Sequence, residues 1–312
     1  MERKGKDMNR RPLFILALVL AVIGIFALGW FYLKGGSGAV PIANRLKPIE
    51  VVERVSGEVL TRPMAVAVGQ GVVAVADSGN SRVLVLDEKT KALIYNYNEN
   101  AGMLYPVGVQ FDAKNNLWIT DLYAGVVKVF DPTGLLLLDI KADTLKTKAF
   151  APAAITMISK GEMAIADGAN RLLWIIDGQG QVIKKINTDG AIVNGLLWDE
   201  ENESLIVADS PKETLHFYSK TGKLIKSVKD GLVHPRGLAW SADQKNFYVV
   251  DAHQHRIDLR DRAGRSLGTF GELGSGLNQF KLPMGIATNG RGLIYLADKE
   301  NNRIVVYQET TN

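Results

Sequence analysis

The sequence predicts an all-β fold, a six-bladed β-propeller with four-stranded antiparallel blades, placed after one N-terminal transmembrane helix. Three observations carry this prediction. A phrase made of an apolar strand, an aspartate, a turn and a second apolar strand occurs six times, first as "VADSGNSRVLVLD" from Val75 to Asp87. The aspartates that close its leading strand are Asp77, Asp121, Asp167, Asp209, Asp251 and Asp298, separated by 44, 46, 42, 42 and 47 residues, about one propeller blade per repeat. Ahead of the repeats stands a run of 21 uncharged residues, Leu13 to Leu33.

Residues 1–11 form a basic tail with Arg3, Lys4, Lys6, Arg10 and Arg11. Residues 12–33 are expected to be the anchor: as a helix, the uncharged run crosses a hydrocarbon core of about 30 Å. It ends in "WFYL", aromatics suited to the membrane interface. A cleaved signal peptide is the competing reading, but its apolar core spans only about 7–15 residues and lies close to a cleavage site. The only small-residue candidate here, Ser37 to Ala39, comes late. The basic residues precede the helix, so the positive-inside rule makes the tail cytoplasmic and the rest of the chain extracytoplasmic. Residues 34–48, "KGGSGAVPIANRLKP", read as a flexible linker.

Residues 49–312 are expected to form the propeller. Pro63, Pro106, Pro152, Pro235 and Pro283 precede the repeat aspartates by 14 to 16 residues. Blade four lacks this proline but keeps Gly195, which matches Gly108, Gly237 and Gly285. Turns such as "DPTG" and "DRAG" follow the third strands. Together these landmarks cut each unit into four short extended runs. Many runs are apolar throughout, as expected of strands covered on both faces. Each aspartate is expected to accept backbone N–H bonds from the turn that follows it, a scaffold role. Blade six ends after three strands, and the run Ile49 to Leu60 ahead of blade one is expected to supply its outer strand and close the ring.

The repeat resembles that of NHL-repeat six-bladed propellers, whose unit combines a proline-glycine start, a strand ending in aspartate, an Asn and Arg turn and a final apolar strand. The clearest stretch is "GTFGELGSGLNQFKLPMGIA", Gly268 to Ala287, followed by "ADKENNRIVVY". Blades two and four depart from the pattern, with "DLYAGV" and "DSPKET" at the turn.

Several functions are disfavoured. There is no cysteine, hence no disulfide and no thiolate site. Residues 1–34 hold six Lys/Arg and two Asp/Glu, which accounts for the whole net charge of +4 and leaves 31 residues of each sign in the remainder. A neutral ring lacks the broad field that draws a polyanion, so no nucleic-acid partner is expected. No nucleophile elbow, phosphate loop or H-E-x-x-H helix is present. The ring architecture also resembles that of lactonase-like hydrolases and amidating lyases. The lactonase type implies carboxylate and amide ligands, largely on the innermost strands, where this chain has no carboxylate inside a strand but apolar residues with Gln110 and Thr156, and Asp199 only at one strand's end. The amidating-lyase type implies zinc-binding histidines from different blades. Here His234, His253 and His255 share one rim, where three imidazoles could bind zinc, but they come from one blade and are read first as turn histidines, with the metal site as the lesser alternative. No metal and no cofactor is expected.

The expected function is therefore a membrane-anchored extracytoplasmic scaffold that binds a protein, peptide or glycan. An extracytoplasmic propeller hydrolase or lyase is the alternative. The expected binding face carries the turns after the second strands and the segments entering the first strands. Its residues that depart most from the repeat are Tyr105, Tyr123, Lys212, His234, Arg236, His253 and His255, and aromatic and arginine side chains are the types that most often anchor interfaces.

Overall fold

The computed structural model describes residues 42–158 and 161–310. The tail 1–11, the anchor 12–33 and the linker as far as residue 41 lie outside the described residues. Among the described residues no helix is long and apolar enough to cross a membrane. The compact unit Ile42–Asn312 is built on six four-stranded antiparallel sheets and two small two-stranded ribbons.

Blade one consists of Ala65–Val68, Val72–Asp77, Arg82–Asp87 and Leu93–Tyr97, paired in that order. Blades two to five repeat the plan from first strands Pro106–Phe111, Pro152–Ile158, Val193–Asp199 and Pro235–Trp240. Blade six contains Pro283–Thr288, Leu293–Asp298 and Arg303–Glu309. Each first strand packs against the next around a closed cycle, with blade six meeting blade one. The second strands lie deepest; Val73 to Asp77 and Ile294 to Asp298 are buried throughout. Outer strands such as Leu136–Ile140 are largely exposed at their start and buried at their end. Apolar faces of adjacent blades meet, as where Leu84 and Leu86 pack with Tyr295, Ile304 and Val306, and burial of this kind is the main stabilising contribution.

The outer strand of blade six is Leu46–Val52, which pairs Leu46 with Glu309 and Val52 with Ile304. It starts three residues ahead of the expected run, and the remainder of that run forms a small ribbon, Arg54–Val55 with Glu58–Val59. The linker expected to reach residue 48 is thus partly structured: Ile42–Arg45 is a helical turn. Ile42 and Leu46 are buried among Phe270, Phe280 and Tyr307, so these apolar side chains hold down a segment whose composition reads as tether. On the other side of blade six, Glu88 adds a polar tie to blade one, accepting from Asn289 Nδ2 at 2.7 Å and Arg291 Nη2 at 2.6 Å.

The repeat aspartates are buried and do more than hold the following turn. Each accepts from the backbone of the segment that enters its own blade: Asp77 from Thr61, Asp121 from Leu104 and Tyr105, Asp167 from Ala151, Asp209 from Ile192, Asp251 from Val233 and His234, and Asp298 from Lys281. Turn N–H groups reach Asp121, Asp167 and Asp209. At Asp77, Asp251 and Asp298 the following residues form a 3₁₀ turn with no side-chain cap, which departs from the expectation. In blades one and six the carboxylate is instead occupied by the Asn and Arg side chains, with Asn80 and Arg82 on Asp77 and Asn301 and Arg303 on Asp298, all at 2.7–2.8 Å.

Removing Leu46–Val52 leaves Arg303–Glu309 as an open sheet edge in water. Thermal or urea denaturation of that deletion is expected to lose the single steep transition of the parent. Parental melting would overturn the closing role of the strand.

Candidate ligand-binding site at the channel mouth

The six first strands wall a central cavity of about 590 Å³. A register shift near the start of the first strand in blades two to six breaks the pairing with the second strand, and bulges of this type re-aim side chains. The residues just after the strand-opening position, Met64, Val107, Ala153, Asn194, Arg236 and Met284, all line the cavity at one mouth. Close approach of neighbouring strands shapes this wall: a Cβ added to Gly195 would lie 1.9 Å from the Arg236 carbonyl oxygen. Only glycine fits there, which accounts for its persistence in blade four after the proline is lost.

Among the described residues Arg236 is the only charged side chain on the lining; the other polar side chains are neutral, among them Tyr105, Gln110, Thr156, Asn194, Gln244 and Thr288. Its Nη1 donates to Asn194 Oδ1 at 2.6 Å and its Nη2 to His234 Nε2 at 2.9 Å. Asn194 is steadied by donating from Nδ2 to Ser210 Oγ at 2.9 Å. A guanidinium can only donate, so His234 Nε2 is unprotonated and its proton sits on Nδ1. Burial, the Arg236 charge and His253 push the His234 pKa down to about 4. The imidazole is therefore neutral at pH 7. His253 stacks on it with ring centroids 4.0 Å apart and planes 5° from parallel.

A second aromatic pair belongs to blade two. Tyr105 and Tyr123 stack at 4.6 Å, and Tyr123 is 70% exposed. Burial and Tyr123 raise the Tyr105 pKa, outweighing Arg62 and Arg236, which lower it. The phenol thus remains a hydrogen-bond donor. Both clusters are tied to scaffold aspartates, since the Tyr105 and His234 backbone N–H groups donate to Asp121 and Asp251.

Of the sequence-predicted face, the structure brings His234, Arg236 and His253 into one cluster and Tyr105 and Tyr123 into another. Lys212 donates to the Asp189 carbonyl at 3.1 Å and does not line the cavity. His255 caps the 3₁₀ turn of blade five with φ 54°, and its Nδ1 accepts from the Leu282 N–H at 3.1 Å. The histidine trio thus forms no common site, and among the described residues no three His, Cys, Asp or Glu side chains are placed to hold one metal ion. Two parallel stacked imidazoles cannot both aim nitrogen lone pairs at one ion between them. Gln110 and Thr156 line the cavity as expected, whereas Asp199 is buried against Asn202 and Arg262. Asn194 and Ser210 were missed. Their signal was Asn194 itself, a polar residue after Val193 where other blades carry proline followed by an apolar residue or Arg236.

Residues 280–307, most of blade six, match the NHL repeat. No curated protein matches the chain. Solved structures share the fold. A streptogramin B lyase structure aligns with a TM-score of 0.66 at 13% identity, over 84% of this chain and 98% of that one. A catalytically inactive virginiamycin B lyase from Staphylococcus aureus with quinupristin aligns at 0.61 and 14%, over 80% of each chain. Kuenenia stuttgartiensis hydrazine synthase aligns at 0.62 and 11%, over 81% of this chain and 97% of its own. At such identities the likeness concerns the fold alone, and the fold defines the class: a six-bladed β-propeller.

Titration of His234 by NMR of the full-length protein, isotope-labelled at histidine, is expected to give a midpoint near 4. Arg236→Gln removes one of the depressing charges and should move the midpoint upward. In the unfolded chain the group takes up its proton at about 6.5, so His234 withdraws stability as pH falls from about 6.5 towards 4. A midpoint that ignores Arg236→Gln would contradict the pairing.

Proposed function

We propose that this protein is a membrane-anchored extracytoplasmic propeller that binds a protein, peptide or glycan across the face carrying Tyr105, Tyr123, His234, Arg236 and His253. The observation that carries the reading is that Tyr105 and Arg236 line the mouth of one cavity and each is held by an aromatic cluster, Tyr105 stacked on Tyr123 and Arg236 bonded to His234, which stacks on His253. Aromatic and arginine side chains anchor interfaces best where they are already ordered, because less conformational entropy is lost on binding. The anchor 12–33 and the basic tail 1–11 supply the location, with the ring held outside the cytoplasm.

An extracytoplasmic hydrolase or lyase is the second reading, favoured by the propeller fold common to the two lyase structures. Metal-dependent chemistry of the lactonase type would require carboxylates on the cavity wall, and none is among its lining residues.

With a ligand captured from solubilised membranes, replacing Tyr123, Arg236 and His253 together should weaken binding by at least about 2 kcal/mol while leaving the melting temperature unchanged. Unchanged affinity, with binding lost instead on substituting Lys114 and Lys245 at the opposite turns, would show that the other face binds. For topology, protease added outside spheroplasts should remove the ring and spare residues 1–11. A ring protected in the absence of any outer barrier would refute the orientation.

A further inference from the structure

Seven arginines of the described ring are buried or half-buried: Arg45, Arg82, Arg236, Arg256, Arg260, Arg262 and Arg303. Six of them reach a carboxylate within 4.0 Å. Arg236 has no such partner among the described residues. Its two terminal nitrogens are taken by an amide oxygen and a neutral imidazole, and its Nε is buried without a hydrogen-bond partner. Placing a cation against an apolar wall is costly unless it is paired, and the fold pairs its other inward arginines.

We infer that the cavity mouth binds a carboxylate carried on an apolar body, with Arg236 as the counter-cation. The inference rests on reading this face as the ligand-binding face. A single positive charge with neutral neighbours matches one negative charge, whereas a dianionic phosphate would leave excess charge in the cavity. Guanidinium geometry also suits a planar carboxylate. The Tyr105 phenol, which lines the same cavity, offers a second donor to the same group. Below the mouth the wall turns apolar, with Val66, Ile155, Leu196, Leu238 and Ile286. Those side chains suit a hydrophobic residue, with Gln110, Thr156 and Thr288 as the polar positions among them. A peptide C-terminus ending in an apolar residue belongs to this ligand class.

Calorimetric titration of the full-length solubilised protein with N-acetyl-leucine, N-acetyl-leucinamide, glucuronate and sulfate tests this. N-acetyl-leucine is expected to bind and to shift the His234 resonances, and its amide to bind at least about tenfold more weakly. Arg236→Gln should abolish the preference for the carboxylate, while Arg236→Lys, which keeps the charge but not the planar fork, should retain part of it. Equal binding of acid and amide, or an unaltered preference in a folded Arg236→Gln variant, would overturn the carboxylate assignment. Equal or tighter binding of glucuronate or sulfate would overturn the apolar body. Carboxylate binding at Arg236, together with a membrane-derived ligand insensitive to the Tyr123, Arg236 and His253 substitutions, would instead refute the face proposed for function and leave this site standing.

Discussion

Six buried carboxylates hold the segments that enter the six inner strands, and the channel mouth depends on them. Each aspartate ends a second strand and bonds the backbone just ahead of its own first strand. A carboxylate accepting several N–H bonds fixes both partners, because its oxygens have no competing water and any lost bond leaves a buried charge poorly satisfied. Asp121 and Asp251 hold the backbones of Tyr105 and His234 by this bond, so the same interaction that repeats for stability also places the two aromatic clusters.

The blades satisfy that carboxylate in different ways, and the differences follow their sequences. Where asparagine and arginine are retained, as at Asn80 with Arg82 and at Asn301 with Arg303, the side chains occupy it. Where they are absent, in blades two and four, the backbone of the following turn donates instead, through Ala124 and Lys212. Blade three has Asn170 and adds the Trp174 indole at 2.8 Å. Blade six, which keeps the full set, is also where the NHL repeat matches. Divergence at the turn has therefore changed the donors while the carboxylate and its upstream bonds persist.

The site arises from two departures in adjacent blades. The position that is Met64, Val107, Ala153 or Met284 elsewhere is Asn194 in blade four and Arg236 in blade five. The bulge at the strand start turns both into the mouth, where they meet at 2.6 Å. Neither would act alone. Asn194 orients the guanidinium, the guanidinium fixes the His234 tautomer, and His234 supports His253 by stacking.

The sequence by itself determined the architecture: the number of blades, their boundaries within a few residues, the scaffold aspartates and the glycines at the inner strands. All of these recur at fixed spacing, and a recurring pattern reflects local chemistry, strand periodicity and turn preference that each unit obeys separately. It also singled out Tyr105, Tyr123, His234, Arg236 and His253, since residues departing from the repeat stood out against it. Only the tertiary structure decided which of them act together. Arg236 joined Asn194 from 42 residues away, Lys212 and His255 were drawn to other partners, and Ile42 and Leu46 folded onto a ring whose other side of that contact lies more than two hundred residues downstream. Pairings of this kind depend on how the ring closes and how each bulge turns a side chain, geometry set by contacts between blades that local sequence does not encode.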